Sequence, residues 1–313
     1  MAWSLLESLK EAQQRPDHNK MELTKISDRV RLVVGPANVG IVLLENSEVV
    51  LIDSGLDEKH ATKIYELLAD YRFKVSAILN THAHADHIGG NAFFQQKTGC
   101  KIFASTLEAP MVRQPLIQSA VLFSGAPVTE LTNRFIMANP SRVDIIPENK
   151  LCFADVEIKI IDLPGHSINQ KGFEVDGVAF IADSIFPESF FKKQRLPFIY
   201  DPATQMETIE KLRKYKAQHF VGGHFQPTRD IGPMLEVNYA SIKDSIDFLR
   251  NLLRIPQPQD RIVKTFLDNF GIRKNNWEYF LYRATVNGYL SSLYKHGQIK
   301  YRVMENLLVW YAL

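Results

Sequence analysis

Three imidazoles and a carboxylate occupy the run His82-Ala83-His84-Ala85-Asp86-His87, directly after the apolar, β-branched stretch Val75-Ser76-Ala77-Ile78-Leu79. Neutral imidazole and carboxylate are the ligands that Zn²⁺ and Fe²⁺ prefer, and alternating positions on an extended or turning backbone aim successive side chains at one point. The run therefore reads as a metal site at the end of a strand. Three more candidate ligands stand at similar places. His166 follows an apolar stretch in Leu163-Pro164-Gly165-His166-Ser167, Asp183 closes Phe180-Ile181-Ala182-Asp183, and His224 closes Val221-Gly222-Gly223-His224. Glycine beside each outlying histidine lets the backbone turn sharply and approach a metal closely. Asp53 ends Val50-Leu51-Ile52-Asp53-Ser54-Gly55, another strand-then-turn position. Five of the nine histidines lie in these motifs. His18, His60, His219 and His296 lack both the strand end and the glycine and are expected at the surface or in the core. Cys100 and Cys152 lie in no motif and are expected to pack as small apolar groups.

The elements that must position these groups are legible as two similar halves. Val30 to Val34, Val39 to Leu44 and Val49 to Ile52 predict strands of a meander. Glu58 to Tyr71 predicts a helix with Ala61, Ile64, Leu67 and Leu68 on one face, and the strand bearing the histidine run follows. In the second half Val156 to Ile161, Gly172 to Val175 and Val178 to Ile181 predict strands, Thr204 to Ala217 a helix, and Phe220-Val221 a short strand before His224. Strands, then a helix, then a ligand-bearing strand end, twice over, predict a four-layer αβ/βα sandwich with the site at one edge of two facing sheets. The segments Pro110 to Pro147 and Phe186 to Tyr200 break this order and are expected to be loops covering the site.

This ordered set resembles the metallo-β-lactamase superfamily, over about residues 21 to 230. The resemblance implies that His82, His84 and His166 hold a first metal, that Asp86, His87 and His224 hold a second, and that Asp183 bridges them. It implies that Asp53 orients a ligand histidine, and that Asp86 carries a proton during turnover as well as binding metal; Asp86 and Asp53 are thus the candidate catalytic residues. The implied cofactors are two divalent ions, Zn²⁺ first, with Fe or Mn accepted by the same ligand types.

Two cations sharing a water bring its pKa toward neutrality and polarise an electrophile, which is the chemistry of hydrolysis. Superfamily β-lactamases with this first motif usually lack the bridging carboxylate that Asp183 supplies, so the set is more similar to glyoxalase II, lactonases and metal-dependent nucleases. Flavodiiron proteins place a glutamate where His84 stands. The basic glutathione-binding stretch of glyoxalase II has no counterpart here. The expected reaction is cleavage of an ester, thioester or lactone of a small, anionic molecule. The alternatives are a mononuclear iron persulfide dioxygenase, which would use His82, His166 and Asp183, and a ribonuclease or nucleic-acid-binding protein working through the C-terminal tail.

The rest of the chain bounds this reading. At 313 residues and 45% apolar composition, it supports a large domain and a smaller one. Three parts are expected: a helical extension over residues 1–20, a catalytic domain over 21–254, and a winged-helix-like domain over 255–313, entered through Ile255-Pro256-Gln257-Pro258-Gln259. In that last part helices are expected at Ile262 to Phe270, Asn276 to Tyr282 and around Val286 to Tyr294, followed by a hairpin turning at Met304 to Asn306. From Pro256 onward eight Lys or Arg face four Asp or Glu, a local charge excess that suits phosphates, docking on the catalytic domain, or a homodimer contact. A net charge of +2 imposes no bulk field. Two cysteines and an amphipathic start around Leu5, Leu6 and Leu9 suggest the cytoplasm, with no membrane partner.

Overall fold

Alternation within single strands builds two cores at once. In the stretch Val49-Val50-Leu51-Ile52, Val49 and Leu51 join one apolar cluster with Ala61, Ile64 and Leu68, while Val50 and Ile52 join another with Val156, Ile158, Phe173 and Phe180. Side chains on a strand alternate between faces, so a sheet covered on both sides needs apolar residues at every position. The computed structural model describes residues 21–272 and 276–313; the helix expected over residues 1–20 lies outside them.

The first sheet takes its strands in chain order: β1 (Thr24–Lys25), β2 (Val30–Val33), β3 (Val39–Leu43), β4 (Glu48–Ile52), β5 (Lys74–Leu79), β6 (Lys101–Ala104) and β7 (Asp144–Ile145). It is antiparallel as far as β4 and parallel from β4 onward. Each parallel step needs a crossover. These are α1 (Glu58–Asp70), then α2 (Ala85–Ile88) with α3 (Asn91–Thr98), then α4 (Ala109–Arg113) with α5 (Leu116–Phe123). Asp57 caps α1, its side chain accepting the His60 amide.

The second sheet runs β8 (Lys150–Phe153), β9 (Val156–Asp162), β10 (Lys171–Val175), β11 (Val178–Ala182) and β12 (His219–Gly222). Only β11 and β12 are parallel neighbours in it; α6 (Glu188–Gln194) and α7 (Pro202–Lys214) connect them. Ala179 and Ile181 of β11 pack with Ile209 and Leu212 of α7 and with Leu235 and Ile242 of α8 (Gly232–Leu252). Helix, sheet, sheet and helix form four layers, as expected. Strands β4, β5, β9, β11 and β12 all send their carboxyl ends toward the same edge.

The last segment comprises β13 (Gln257–Pro258), α9 (Gln259–Asn269), α10 (Asn276–Lys295), β14 (Ile299–Met304) and β15 (Leu307–Ala312), the strands pairing in the order β13-β15-β14. The hairpin turns on Glu305 and Asn306, both at positive φ, which suits the twist of a tight antiparallel turn. Three expectations are corrected. The two helices expected around Asn276–Tyr282 and Val286–Tyr294 are a single helix, α10, because it is packed along its whole length, Leu281 against Leu122 and Leu131 and Val286, Leu290 and Leu293 in the core shared with α7 and α8, and Gly288 does not interrupt it. The Pro110 to Pro147 segment is not an irregular loop: Ala109–Arg113 and Leu116–Phe123 are helical, and Leu122 packs against Leu281 of α10. Phe186 to Tyr200 likewise contains a helix, α6. Ile262, Val263, Phe266, Val286 and Tyr289 belong to the same cluster as Ile181, Ile209 and Leu235, so the C-terminal segment shares a continuous core with the second sheet's outer layer.

Candidate metal centre

The seven side chains singled out in the sequence meet at the shared carboxyl edge. His82 and His84 lie in the turn after β5, Asp86 and His87 on the single turn of α2, His166 after β9, Asp183 immediately after β11 and His224 two residues after β12. They fall into three overlapping sets whose ligand atoms lie within 4.8 Å of one another: His82, His84 and His166; His82, His87 and Asp183; and Asp86, His87 and His224.

Four of the five rings are aimed by their far nitrogen. His166 Nδ1–H donates to the Phe198 carbonyl at 2.9 Å, and His224 Nδ1–H donates to the Pro36 carbonyl at 2.7 Å. Asp53 Oδ2 accepts from Thr81 Oγ1 at 2.8 Å and lies 2.7 Å from His87 Nδ1. Because the Thr81 proton goes to Asp53, the same hydroxyl oxygen accepts from His82 Nδ1–H at 3.0 Å. Asp53 also accepts the Thr81 amide at 2.8 Å. Asp53 thus contacts His87 directly and reaches His82 through Thr81.

With those protons committed, the opposite nitrogens face one another as lone pairs. His84 Nδ1 lies 2.9 Å from His82 Nε2 and 3.0 Å from His166 Nε2, and one proton on His84 can satisfy only one of them. On the other flank, His87 Nε2, Asp86 Oδ2 and Asp183 Oδ1 are buried with no hydrogen-bond partner. His87 Nε2 is 3.4 Å from Asp183 Oδ1, and His224 Nε2 is 3.4 Å from Asp86 Oδ2 and 3.2 Å from Asp183 Oδ2. Buried acceptors converge in this way around a cation, so the donor set fits a divalent metal on each flank.

The electrostatics separate the flanks. Burial, with neighbouring imidazoles, pushes His84 down to about 3 and His82 well below the ordinary imidazole range; burial lowers His166 too. These three are neutral, as ligands must be. Burial pushes His224 down as well, but Asp183 and Asp86 outweigh it and lift the ring to about 10. Burial likewise disfavours charge on His87, yet Asp183, Asp53 and Asp86 hold it well above the usual range. Burial would raise Asp183, and His224 and His87 instead hold it well below the carboxylate range. The carboxylates therefore make this flank the more electronegative of the two, which favours a bound dication there.

Backbone geometry holds the candidate ligands close. Asp53 and Ala182 both sit at positive φ, a cost accepted at sites where the surroundings over-determine the conformation. A Cβ on Gly223 would lie 2.1 Å from Asp183 Oδ1 and 2.8 Å from His87 Cε1. Gly165 is at φ +126, and a Cβ there would meet the Gln205 backbone at 2.5 Å. Glycine at both places is required by close approach, as the sequence suggested.

His82, His87 and His166 are fully buried, whereas His84 and His224 are part-exposed, so the centre opens on their side. Phe198 stands edge-on to His84 with ring centroids 5.4 Å apart, Phe186 stacks near His224 at 5.9 Å, and Phe190 stacks on Phe186 at 4.3 Å. Phe186, Phe190 and Phe198 of the Phe186 to Tyr200 segment thus flank the centre, while its Lys192 pairs with Glu188 in water. Sequence reasoning assigned no role to Thr81, Asn38, Glu108 or Phe198. Asn38 Nδ2 donates to the carbonyls of Gly222 and Phe225 at 2.9 and 2.8 Å, fixing the turn that carries His224. These residues are single polar or aromatic side chains without a motif, and only their spatial neighbours reveal them. His60, His219 and His296 belong to none of the three sets.

A family model described as the metallo-beta-lactamase superfamily matches residues 32–224. A hydroxyacylglutathione hydrolase of Hyphomonas neptunium is 30% identical over 36% of this chain and 34% of its own length. One of Prochlorococcus marinus is 26% identical over 53% of this chain and 57% of its own. An uncharacterised protein of Aquifex aeolicus is 28% identical over 43% of this chain and 58% of its own. The chain thus spans between a third and three fifths of these relatives. Among solved structures, a metallo-beta-lactamase family protein of Thermus thermophilus superimposes with a TM-score of 0.68 at 19% identity, over 88% of this chain and 94% of that one. A beta-lactamase domain protein of Burkholderia ambifaria gives 0.69 at 15% identity, over 93% and 94%. These two matches concern the fold.

Proposed function

The chain belongs to the metallo-β-lactamase superfamily, and on that premise we propose that it is a metal-dependent hydrolase of esters, thioesters or lactones of small molecules. The observation that carries the reading is the convergence of seven potential ligands, among them the unpartnered Asp86 Oδ2, His87 Nε2 and Asp183 Oδ1. In this reading His82, His84 and His166 hold one divalent ion, Asp86, His87 and His224 the other, and Asp183 both. Zn²⁺ is the proposed metal, and the same imidazole and carboxylate set accepts Fe or Mn. Metal bound there would supply Lewis acidity and a water of lowered pKa.

The chain's own residues would do the remaining work. Asp53, Phe198 and Pro36 hold the ring nitrogens of His87, His166 and His224 in the tautomers that leave ligand lone pairs free. Asp86 Oδ2, beside His224 Nε2 at 3.4 Å, is placed to carry a proton from the attacking water toward the leaving group. Phe186, Phe190 and Phe198 exclude water around the reacting carbon and favour an apolar or aromatic portion next to the scissile bond. The hydroxyacylglutathione hydrolases among the relatives support a thioester substrate. The substrate is proposed to be anionic, and a homodimer contact through the C-terminal segment belongs to the same reading.

Among the described residues no helix is long and apolar enough to cross a membrane.

Metal analysis of the purified protein, followed by a panel of ester, thioester, lactone, phosphodiester and persulfide substrates, tests the proposal. About two Zn²⁺ per chain and chelator-sensitive cleavage of a thioester, ester or lactone is the expected result. One iron per chain with oxygen uptake on a persulfide would overturn it, as would cleavage confined to phosphodiesters.

A further inference from the structure

Glu108 is 1% exposed and stands where the chain leaves β6 for α4. Its Oε2 accepts the Ala83 amide at 3.0 Å, and its Oε1 accepts the Ser167 hydroxyl at 2.6 Å and the Asn169 amide at 3.0 Å. Ala83 lies between His82 and His84, on the first sheet's loop, and Ser167 follows His166, on the second sheet's loop. One carboxylate therefore spans two ligand loops that are 82 residues apart at His84 and His166.

We infer that Glu108 is a positioning residue that sets the separation of His84 and His166 and so the geometry of the three-histidine metal site. Three donors converge on this side chain from two loops, so the site calls for a group that only accepts. Glutamine of the same shape cannot replace it, because whichever way the amide is turned its NH₂ faces the Ala83 or the Asn169 amide. Burying a carboxylate is costly unless its hydrogen bonds are complete, and here each bond ends on a ligand loop. The β6–α4 turn reaches the His166 loop a second time where Ser105 Oγ donates to the Asn169 carbonyl at 2.7 Å, which makes that turn the frame from which Glu108 works. Asp86, His87 and His224 are not bonded to Glu108, so the clamp is specific to one flank.

The inference rests on the two-metal reading above, and the experiment separates the two. Zn²⁺ and Co²⁺ binding are titrated against a chelator for the wild type, Glu108→Gln and Ser167→Ala, with Co²⁺ absorption reporting each site's geometry. In Glu108→Gln one of the two metals is expected to weaken by about 10- to 100-fold, as when groups that orient ligands are removed, with a changed Co²⁺ spectrum for that metal alone. Ser167→Ala is expected to weaken the same metal less, and it carries the test if Glu108→Gln does not fold. Wild-type affinity and spectra in both variants would overturn the role of Glu108 while leaving the metal centre standing. Equal weakening of both metals would also overturn it, since that marks general loosening. Absence of divalent binding in the wild type itself would overturn the parent reading and this one together.

Discussion

Asp53 Oδ2 and His87 Nδ1 lie 2.7 Å apart across the first sheet's carboxyl edge, and the same carboxylate holds Thr81, whose hydroxyl reaches His82. One aspartate thereby sets the tautomers of two imidazoles, one on each flank of the centre. Its φ of 62° is tolerated by Asn as well as Asp, so exchanging the charge need not disturb the backbone. Asp53→Asn is expected to lower metal affinity by about 10- to 100-fold with secondary structure unchanged. Chelator competition beside circular dichroism measures both, and unchanged affinity would remove Asp53 from the site.

Gly223 leaves room for Asp183. A methyl group there would lie 2.1 Å from the carboxylate oxygen, so either Asp183 or the turn bearing His224 must move. Gly223→Ala is expected to lower kcat on the order of 100-fold, the scale of an ångström's misplacement at a reacting centre, while the melting temperature falls little. Wild-type kcat in this variant would mean that Asp183 does not need its present position.

The C-terminal segment is welded to the catalytic layers. Tyr282 Oη donates toward the carbonyls of Gln194 and Leu196, each at 3.3 Å, just before Phe198, whose carbonyl holds His166. Removing residues 257–313 would expose Ile181, Ile209 and Leu235, which share a cluster with Phe266 and Tyr289. The truncated chain is expected to be insoluble or to bind a dye for exposed apolar surface. Tyr282→Phe, a milder change, is expected to cost about 1 kcal/mol in denaturant unfolding. A truncated chain that stays soluble and active would disprove the shared core.

His60 supplies a pH dependence away from the metal centre. Burial lowers it to about 4, below its value near 6.5 in an unfolded chain. The unfolded state then binds the proton more readily, so His60 costs no stability above about pH 6.5. Stability is lost as pH falls from about 6.5 toward 4, by about 3 kcal/mol from this group. His60→Gln is expected to flatten that part of the stability profile relative to wild type. Parallel profiles for the two proteins would show that His60 does not titrate in this window.

The candidate ligand set was legible because its signal is local. His82 to His87, His166, Asp183 and His224 each follow an apolar strand-like stretch, and glycine accompanies the outlying histidines; all seven side chains meet in space. The helices at Leu116–Phe123 and Glu188–Gln194 were not legible. Both are short, so helical periodicity barely repeats within them, and what keeps them helical is packing such as Leu122 on Leu281. The continuity of α10 was hidden for a related reason. Gly288 weakens the helix locally, but the close approach of the Tyr200 carbonyl, 2.6 Å from where a Cβ would stand, leaves room for nothing larger, and the packing around it keeps the helix whole.

By itself the sequence determined the strand ends, the ligand types and hence the kind of chemistry, since alternation and ligand identity are properties of neighbouring residues. Only the tertiary structure decided how the ligands are held. The Asp53–Thr81–His82 chain, the Phe198 and Pro36 carbonyls, and the Glu108 clamp join groups far apart in the chain, and a hydrogen bond between such groups depends on which strands pair and how the two sheets pack, which no local pattern records. The electrostatic difference between the three-histidine flank, where burial lowers the rings, and the other, where carboxylates raise them, has the same origin, because burial and the approach of Asp183 to His224 and His87 set it.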